Sequence, residues 1–262
     1  MPNRCPPPEL LDEIVNFLYY SRDTLKSCCL VSKSWIPRSR THLFACISFR
    51  TVEGVESWKT TFPDPSTSPA RYTRTLLIEC PWAVTAAATE EGGWIQTFSC
   101  VVHLEMDLGR ANSGDLANPC LVPFHGFSPV VKSLHLSHIP LPLPPIFDLI
   151  SSFPLLENLS LLTHVGISSN DGSDRQVATA QPLSTPVFTG TLRVDRVNHV
   201  ITQLLSMPGG LHFRKLDLSW IDENDIPSTT SLVKSCRSTI EFLRVYSCIH
   251  GMSSRRLHPS DG

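Results

Sequence analysis

No two cysteines in this chain are spaced C-x-x-C, and the nine that occur (Cys5, Cys28, Cys29, Cys46, Cys80, Cys100, Cys120, Cys236 and Cys248) are odd in number and scattered. That pattern suits reduced core thiols and speaks against a disulfide framework or a zinc knuckle. Long hydrophobic runs are missing too. The start, MPNRCPPPE, has no apolar stretch of the signal-peptide kind, and the greasiest segment, IPLPLPPIFDLI, carries four prolines and an aspartate. Neither a secretory signal nor a membrane span is expected, so the chain reads as intracellular, cytoplasmic or nuclear. Charge of one sign is likewise lacking: a net charge of -2 gives no general attraction to nucleic acid or anionic lipid, and neither is expected as a partner.

Recognisable chemistry is also sparse. There is no glycine-rich phosphate loop, G-x-S-x-G elbow or H-E-x-x-H helix. His135 and His138 form H-x-x-H, but across a strand end that spacing does not put both on one face, and no nearby carboxylate or thiol completes a metal set. SSNDGSD lacks the spaced carboxylates and closing glutamate of a calcium loop. Asn158-Leu159-Ser160 is a formal glycosylation sequon placed in a segment that reads as a strand of an intracellular chain. The chain is therefore expected to be no enzyme and to hold no metal or cofactor.

What is present is enough apolar material for a real core, in a length that suits one large domain or two unequal ones. Proline is frequent, at 22 residues against 13 glycines, so many proline-stopped elements are expected. In residues 9–20 apolar side chains recur at Leu10, Leu11, Ile14, Phe17 and Leu18, the spacing of one helical face, with Asp12, Glu13 and Asn16 opposite. Pro8 suits the first turn. A second helix follows in SRDTLKSCCLVSKSW, with Ser21 or Asp23 as N-cap and Leu25, Cys28, Cys29 and Val31 as its stripe, before Trp35. Pro37 is expected to mark a boundary, and RSRTHLF a third helical piece ending on Leu43 and Phe44. Three short helices cannot bury a core by themselves, so something must cover their outward apolar surface.

The segment PPELLDEIVNFL, followed by Leu25, CCLVSKSW and the closing HLF, resembles an F-box, in the divergent form of fungal (basidiomycete-like) F-box proteins. The resemblance covers residues 7–44. It departs from the family at Pro7, where a leucine usually precedes the proline, and at Ser32 and Ser34 around Lys33. The resemblance implies docking on the Skp-type adaptor of an SCF ubiquitin ligase, and through it on the cullin. It also implies that Pro8, Leu10, Leu11, Ile14, Leu18, Leu25, Val31 and Trp35 form the adaptor interface or the small core beneath it.

The remaining residues carry a repeat. L-x-L-type segments occur at CISF, TLLIE, HLEMD, SLHLS, NLSLL, TLRVD, KLDLS and FLRVY. Their first apolar positions, 47, 76, 104, 134, 159, 192, 216 and 243, are separated by 29, 28, 30, 25, 33, 24 and 27 residues. A hairpin sandwich would bring a strand every ~8–12 residues. Helix-like segments fall between them: VEGVESWKTTF, EEGGWIQTFSC, PPIFDLISSFP, VNHVITQLLSMP and TTSLVKSCRSTIEF. One strand and one helix per step is the signature of a leucine-rich-repeat solenoid with parallel strands inside and helices outside.

The fold expected is thus an α+β or α/β solenoid: a three-helix F-box-like module over residues 1–44, then an irregular leucine-rich-repeat horseshoe over 45–262, similar to the repeats that follow fungal F-boxes. Insertions are expected at about 60–73, 111–129 and 165–186. The regular asparagine ladder is missing: three residues past the second apolar position only Cys248 fits, and Ile139, His164, Val197 and Ile221 stand elsewhere. The tail GMSSRRLHPSDG brings no recognisable capping repeat, which leaves the last strand with an exposed edge.

Alternation along each strand turns its polar neighbours onto the concave face. The row gives Glu105, Asp107, His135, Arg193, Asp195, Lys215, Asp217, Arg244 and Tyr246 as target-binding candidates, acidic at one end and with Arg, Lys and Tyr at the other. A solvated strand face accounts for any one of them; the row as a whole is the candidate surface for an unknown target protein. The second functional class is a repeat scaffold whose F-box-like cap acts outside any ubiquitin ligase. The two differ in an observable: an F-box leaves apolar helix surface exposed, whereas a cap buries it.

Overall fold

In a computed structural model, which describes residues 7–79, 93–108, 121–139, 144–163, 186, 188–195 and 198–247, the paired leucines of the repeat form one ladder. Among the described residues eight strands build a single all-parallel sheet: β1 (Cys46–Phe49), β2 (Thr75–Ile78), β3 (His103–Asp107), β4 (Ser133–Ile139), β5 (Asn158–Thr163), β6 (Thr191–Asp195), β7 (Lys215–Ile221) and β8 (Phe242–Ser247). Their spatial order is their chain order. Ile47, Leu76, Leu104, Leu134, Leu159, Leu192, Leu216 and Leu243 stand opposite one another in unbroken register. The molecule is therefore of α/β type, with each strand laid beside its predecessor.

A recurring backbone contact sets that register. The carbonyl just before each strand accepts two N–H groups from the start of the next: Ala45 from Arg74 and Thr75, Arg74 from Val102 and His103, Val102 from Lys132 and Ser133, Lys132 from Glu157 and Asn158. Gly190 and Arg214 repeat it. The exception is Glu157, whose carbonyl takes only Gly190 N–H; the Thr191 N–H donates instead to Asn158 Oδ1 at 2.8 Å. Asn158 is thus occupied as a backbone partner. A Cβ on Gly190 would collide with the Asn158 carboxamide and the Glu157 carbonyl. Gly190→Ala is expected to destabilise by about 1–3 kcal/mol through this overpacking. A urea midpoint equal to that of the unmodified chain would show that Asn158 yields at no cost.

Between strands run α4 (Val52–Thr61), α5 (Pro144–Ser151), α6 (Asn198–Ser206) and α7 (Ile226–Ser235). Short 3-10 turns stand at Pro69–Tyr72, after α4 in the same connection, and at Ile95–Phe98 and Val122–Phe124 in the next two. EEGGWIQTFSC, expected as a helix, gives over its described residues 93–100 only the turn Ile95–Phe98, and Gly93 at φ +130° does not suit a helix running into it; residues 90–92 lie outside the described residues. The core lies between these connections and one face of the sheet, where Val55, Phe98, Phe124, Phe153, Leu204 and Leu232 meet the leucine ladder. Phe127 sits edge-on to both Phe124 and Phe153, at 6.0 and 6.2 Å between ring centres. Within the segments expected as insertions, Ser68, Pro69, Ala70, Leu121, Phe124, Phe127 and Pro186 are buried; residues 109–120 and 164–185 lie outside the described residues.

Before the sheet come α1 (Pro8–Phe17), α2 (Arg22–Val31) and α3 (Ile36–Leu43). Ser21 caps α2 by accepting from Thr24 N–H. Pro37 lies inside the first turn of α3, where a missing N–H is harmless, so the boundary falls at Trp35. Asn16 Oδ1 ties α1 to α3, accepting from Arg38 Nε at 2.8 Å with His42 Nε2 at 2.9 Å.

Two strands carry a bulge at the same place. Register shifts between Ser137 and Ile139 in β4 and between Ser219 and Ile221 in β7. The ejected residues, His138 and Trp220, have φ of +53° and +61°. The extra residue returns Ile139 and Ile221 to the core, where both are buried. At these two places an isoleucine side chain occupies the position where the regular repeat has its asparagine or cysteine.

Candidate functional site

Two surfaces gather the candidate residues, and the first is the outside of the helical module. α1 has two apolar faces. Leu11, Val15 and Leu18 form the covered face, with Val15 only 1% exposed, on a helix that packs against α3. Leu10, Ile14 and Phe17, also at i, i+4, i+7, turn outward and are 51%, 45% and 82% exposed. Leu30 and Val31 at the end of α2 are exposed as well. Of the residues that the family resemblance placed at an adaptor, Leu10, Ile14 and Val31 are thus accessible, while Leu11, Leu18 and Trp35 are half-buried. Leu25 is fully buried and belongs to the core beneath. The Pro8 side chain lies outside what is described. Val15, the residue α1 buries most completely, was not in the stripe read from spacing.

The second surface is the sheet face opposite the connecting helices. One row runs straight across six strands: Glu105, His135, Ser160, Arg193, Asp217 and Arg244 are successive register partners. At the usual strand spacing of ~4.8 Å they form a strip of alternating character. Beside it lies a second row, Asp107, Ser137, Leu162, Asp195, Ser219 and Tyr246. Lys215 is exposed between Thr191 and Phe242.

Part of the charge on this face is already matched. Asp107 Oδ1 lies 2.8 Å from His138 Nδ1, the residue that the bulge in β4 delivers. Asp217 Oδ2 lies 3.9 Å from Arg244 Nη1. The Arg244 guanidinium also sits 5.3 Å from the Phe242 ring centre and 6.0 Å from that of Tyr246. Two aromatic neighbours and a carboxylate hold it in one orientation, as an interface anchor requires. Arg193 and Lys215 make no ion pair among the described residues. Ser160 Oγ and Asp217 Oδ1 are buried there without a hydrogen-bond partner among the described residues. The strip therefore combines one oriented cation, two unpaired cations and polar atoms without a hydrogen-bond partner among the described residues.

Burial holds the His135 imidazole below the ordinary histidine value of 6.5; Glu105 opposes this and Arg193 reinforces it. In the unfolded chain this histidine takes its proton first, near 6.5. Its contribution is thus fully present above that pH and is lost as pH falls through the lower folded value. His135→Gln is expected to flatten the decline in urea midpoint between about pH 7 and about pH 5.5. Equal declines in both proteins would overturn this.

The bulged residues were the part of this face that sequence reasoning missed. Their signal was on the page: SLHLSHI and KLDLSWI share Leu-x-Leu-Ser, then a large residue, then Ile. Among the described residues no group of three or more His, Cys, Asp or Glu could hold a metal ion, and no helix is long and apolar enough to cross a membrane. Compared with protein-family models and with curated proteins, the chain matches none.

Proposed function

We propose that this chain is the target-recognition subunit of an SCF-type cullin-RING ubiquitin ligase, residues 1–44 being an F-box-like module and residues 45–262 an irregular leucine-rich-repeat horseshoe. The observation that carries the reading is the outward apolar face of α1. A helical cap on the sheet would spend its apolar residues inward, yet Leu10, Ile14 and Phe17 remain exposed beside Leu30 and Val31. Such a patch on a small module marks a protein interface. The sequential parallel strands support the repeat reading, and the strip through Arg193 and Arg244 supplies a surface for a target.

In this reading the chain catalyses nothing. It holds a target so that target lysines meet the ubiquitin-loaded enzyme at high effective concentration, a gain that depends on simultaneous engagement of both ends. It would act in the cytoplasm or nucleus. The test is co-purification of the full chain with a Skp-type adaptor and its cullin. Saturable binding supports the proposal. A folded chain that fails to bind would leave a repeat scaffold with an F-box-like cap acting outside any ligase.

A further inference from the structure

A feature not used by that reading lies at the other end of the sheet. Among the described residues β1 pairs with β2 alone. The Ala45 and Phe49 carbonyls accept from the β2 side, from Arg74 and Thr75 and from Glu79 respectively. Parallel strands turn the N–H and C=O of alternate residues to opposite sides, so Cys46 and Ser48 direct theirs away from β2. Among the described residues neither finds a partner there. Edge strands are commonly protected by proline, an inward charge or a bulge, and β1 has none of these in CISF.

Along this edge runs a cleft of about 600 Å³. Arg22 and His42 of the helical module form one wall, Trp58 and Phe62 of the α4 region another, and Cys46 and Ser48 border it with small exposed side chains. Its lining contains an arginine and no carboxylate. The Arg22 guanidinium is exposed and spends one N–H on the Leu43 carbonyl, at 3.4 Å, leaving its other donors toward solvent. Trp58 and Phe62 pack with their rings tilted at 56° and 4.7 Å between centres, an apolar wall only partly covered by Phe44.

We propose that the open edge of β1 binds an extended peptide segment of a partner protein as an added strand. That segment carries an Asp or Glu side chain that pairs with Arg22 and an apolar side chain that rests on Trp58 and Phe62. The backbone groups of Cys46 and Ser48 provide main-chain hydrogen bonds, and the two walls supply specificity, as strand addition generally divides the work. This site is separate from both the outer face of α1 and the open face of the sheet, and it stands whether or not the chain joins a ligase.

The test is selection of a displayed random peptide library of about twelve residues on the full-length protein, long enough to span the strand at ~3.3 Å per residue. Enriched peptides are then titrated by fluorescence anisotropy. Acidic peptides with alternating apolar residues are expected, bound about tenfold or more weakly after Arg22→Glu. Replacing their acid by lysine should restore binding to the Arg22→Glu protein. N-methylation of alternate peptide amides should abolish binding, and so should Ser48→Pro, which removes an outward N–H. Failure to enrich any peptide, or binding indifferent to Arg22→Glu and to N-methylation, overturns the proposal. So does a concentration-dependent dimer that Ser48→Pro dissolves, since the edge would then belong to a second copy of this chain.

Discussion

Leu10→Asp combined with Ile14→Lys is expected to abolish co-purification with a Skp-type adaptor while leaving the fold intact. Both side chains are about half exposed, and neither belongs to the buried core. Aspartate near the start of α1 and lysine near its end complement the helix dipole, so the change does not melt the helix. Exposed substitutions of this kind cost within about 0.5 kcal/mol of stability. Two central interface anchors lost together, with charges left buried against an apolar partner, amount to about 4 kcal/mol or more, on the order of a thousandfold in affinity. Circular dichroism and thermal unfolding check the fold, and pull-down with titration checks the affinity. Undiminished binding by the double variant would sink the placement of the adaptor on this face, and with it the observation that carries the proposed function.

Phe153→Ala should show the largest loss of stability. The ring is fully buried, stands edge-on to Phe127, and is reached from α5 at the centre of the ladder. Removing such a side chain costs about 3–5 kcal/mol, the lost transfer energy plus the cavity left behind. The urea midpoint should fall on the order of 1 M in a chain of this size. Phe153→Leu, which refills most of the space, should lose far less. A loss below about 1 kcal/mol for the alanine variant would mean that the connections close over the gap, and that the sheet and its outer layer are packed more loosely than a native interior.

The strand ladder was legible because its cause is local. A parallel sheet covered on one face needs two inward apolar residues per strand, and L-x-L states that need directly; each of the eight segments read from spacing begins where a strand begins and ends within two residues of its end. The helices of the module were legible for the same reason. Which face of α1 turns outward was not, because Leu10/Ile14/Phe17 and Leu11/Val15/Leu18 have identical spacing, and only the position of α2 and α3 separates them. The bulges at His138 and Trp220 escaped notice because strict alternation was assumed past the second leucine. Nor could spacing show that the Asn158 carboxamide accepts the backbone N–H of Thr191. The cleft beside β1 could not be read at all, since it brings Arg22 and His42 together with Trp58 and Phe62 only through tertiary packing.

The double-acceptor carbonyl ahead of all but one of the paired strands has a consequence for how this chain can change length. Every sheet contact joins a strand to the next one in the chain, across steps of 24 to 33 residues. Closing such a loop costs an entropy that grows only with the logarithm of its length, so the longest step is about 0.3 kcal/mol dearer than the shortest. The fold therefore has low contact order, and each repeat finds its neighbour without waiting for distant parts of the chain. What a connection must deliver is two N–H groups at one carbonyl; residues added between those fixed points barely alter the balance. Insertions can accumulate in the connections of such a sheet while its ladder, and whatever it presents, stays in register.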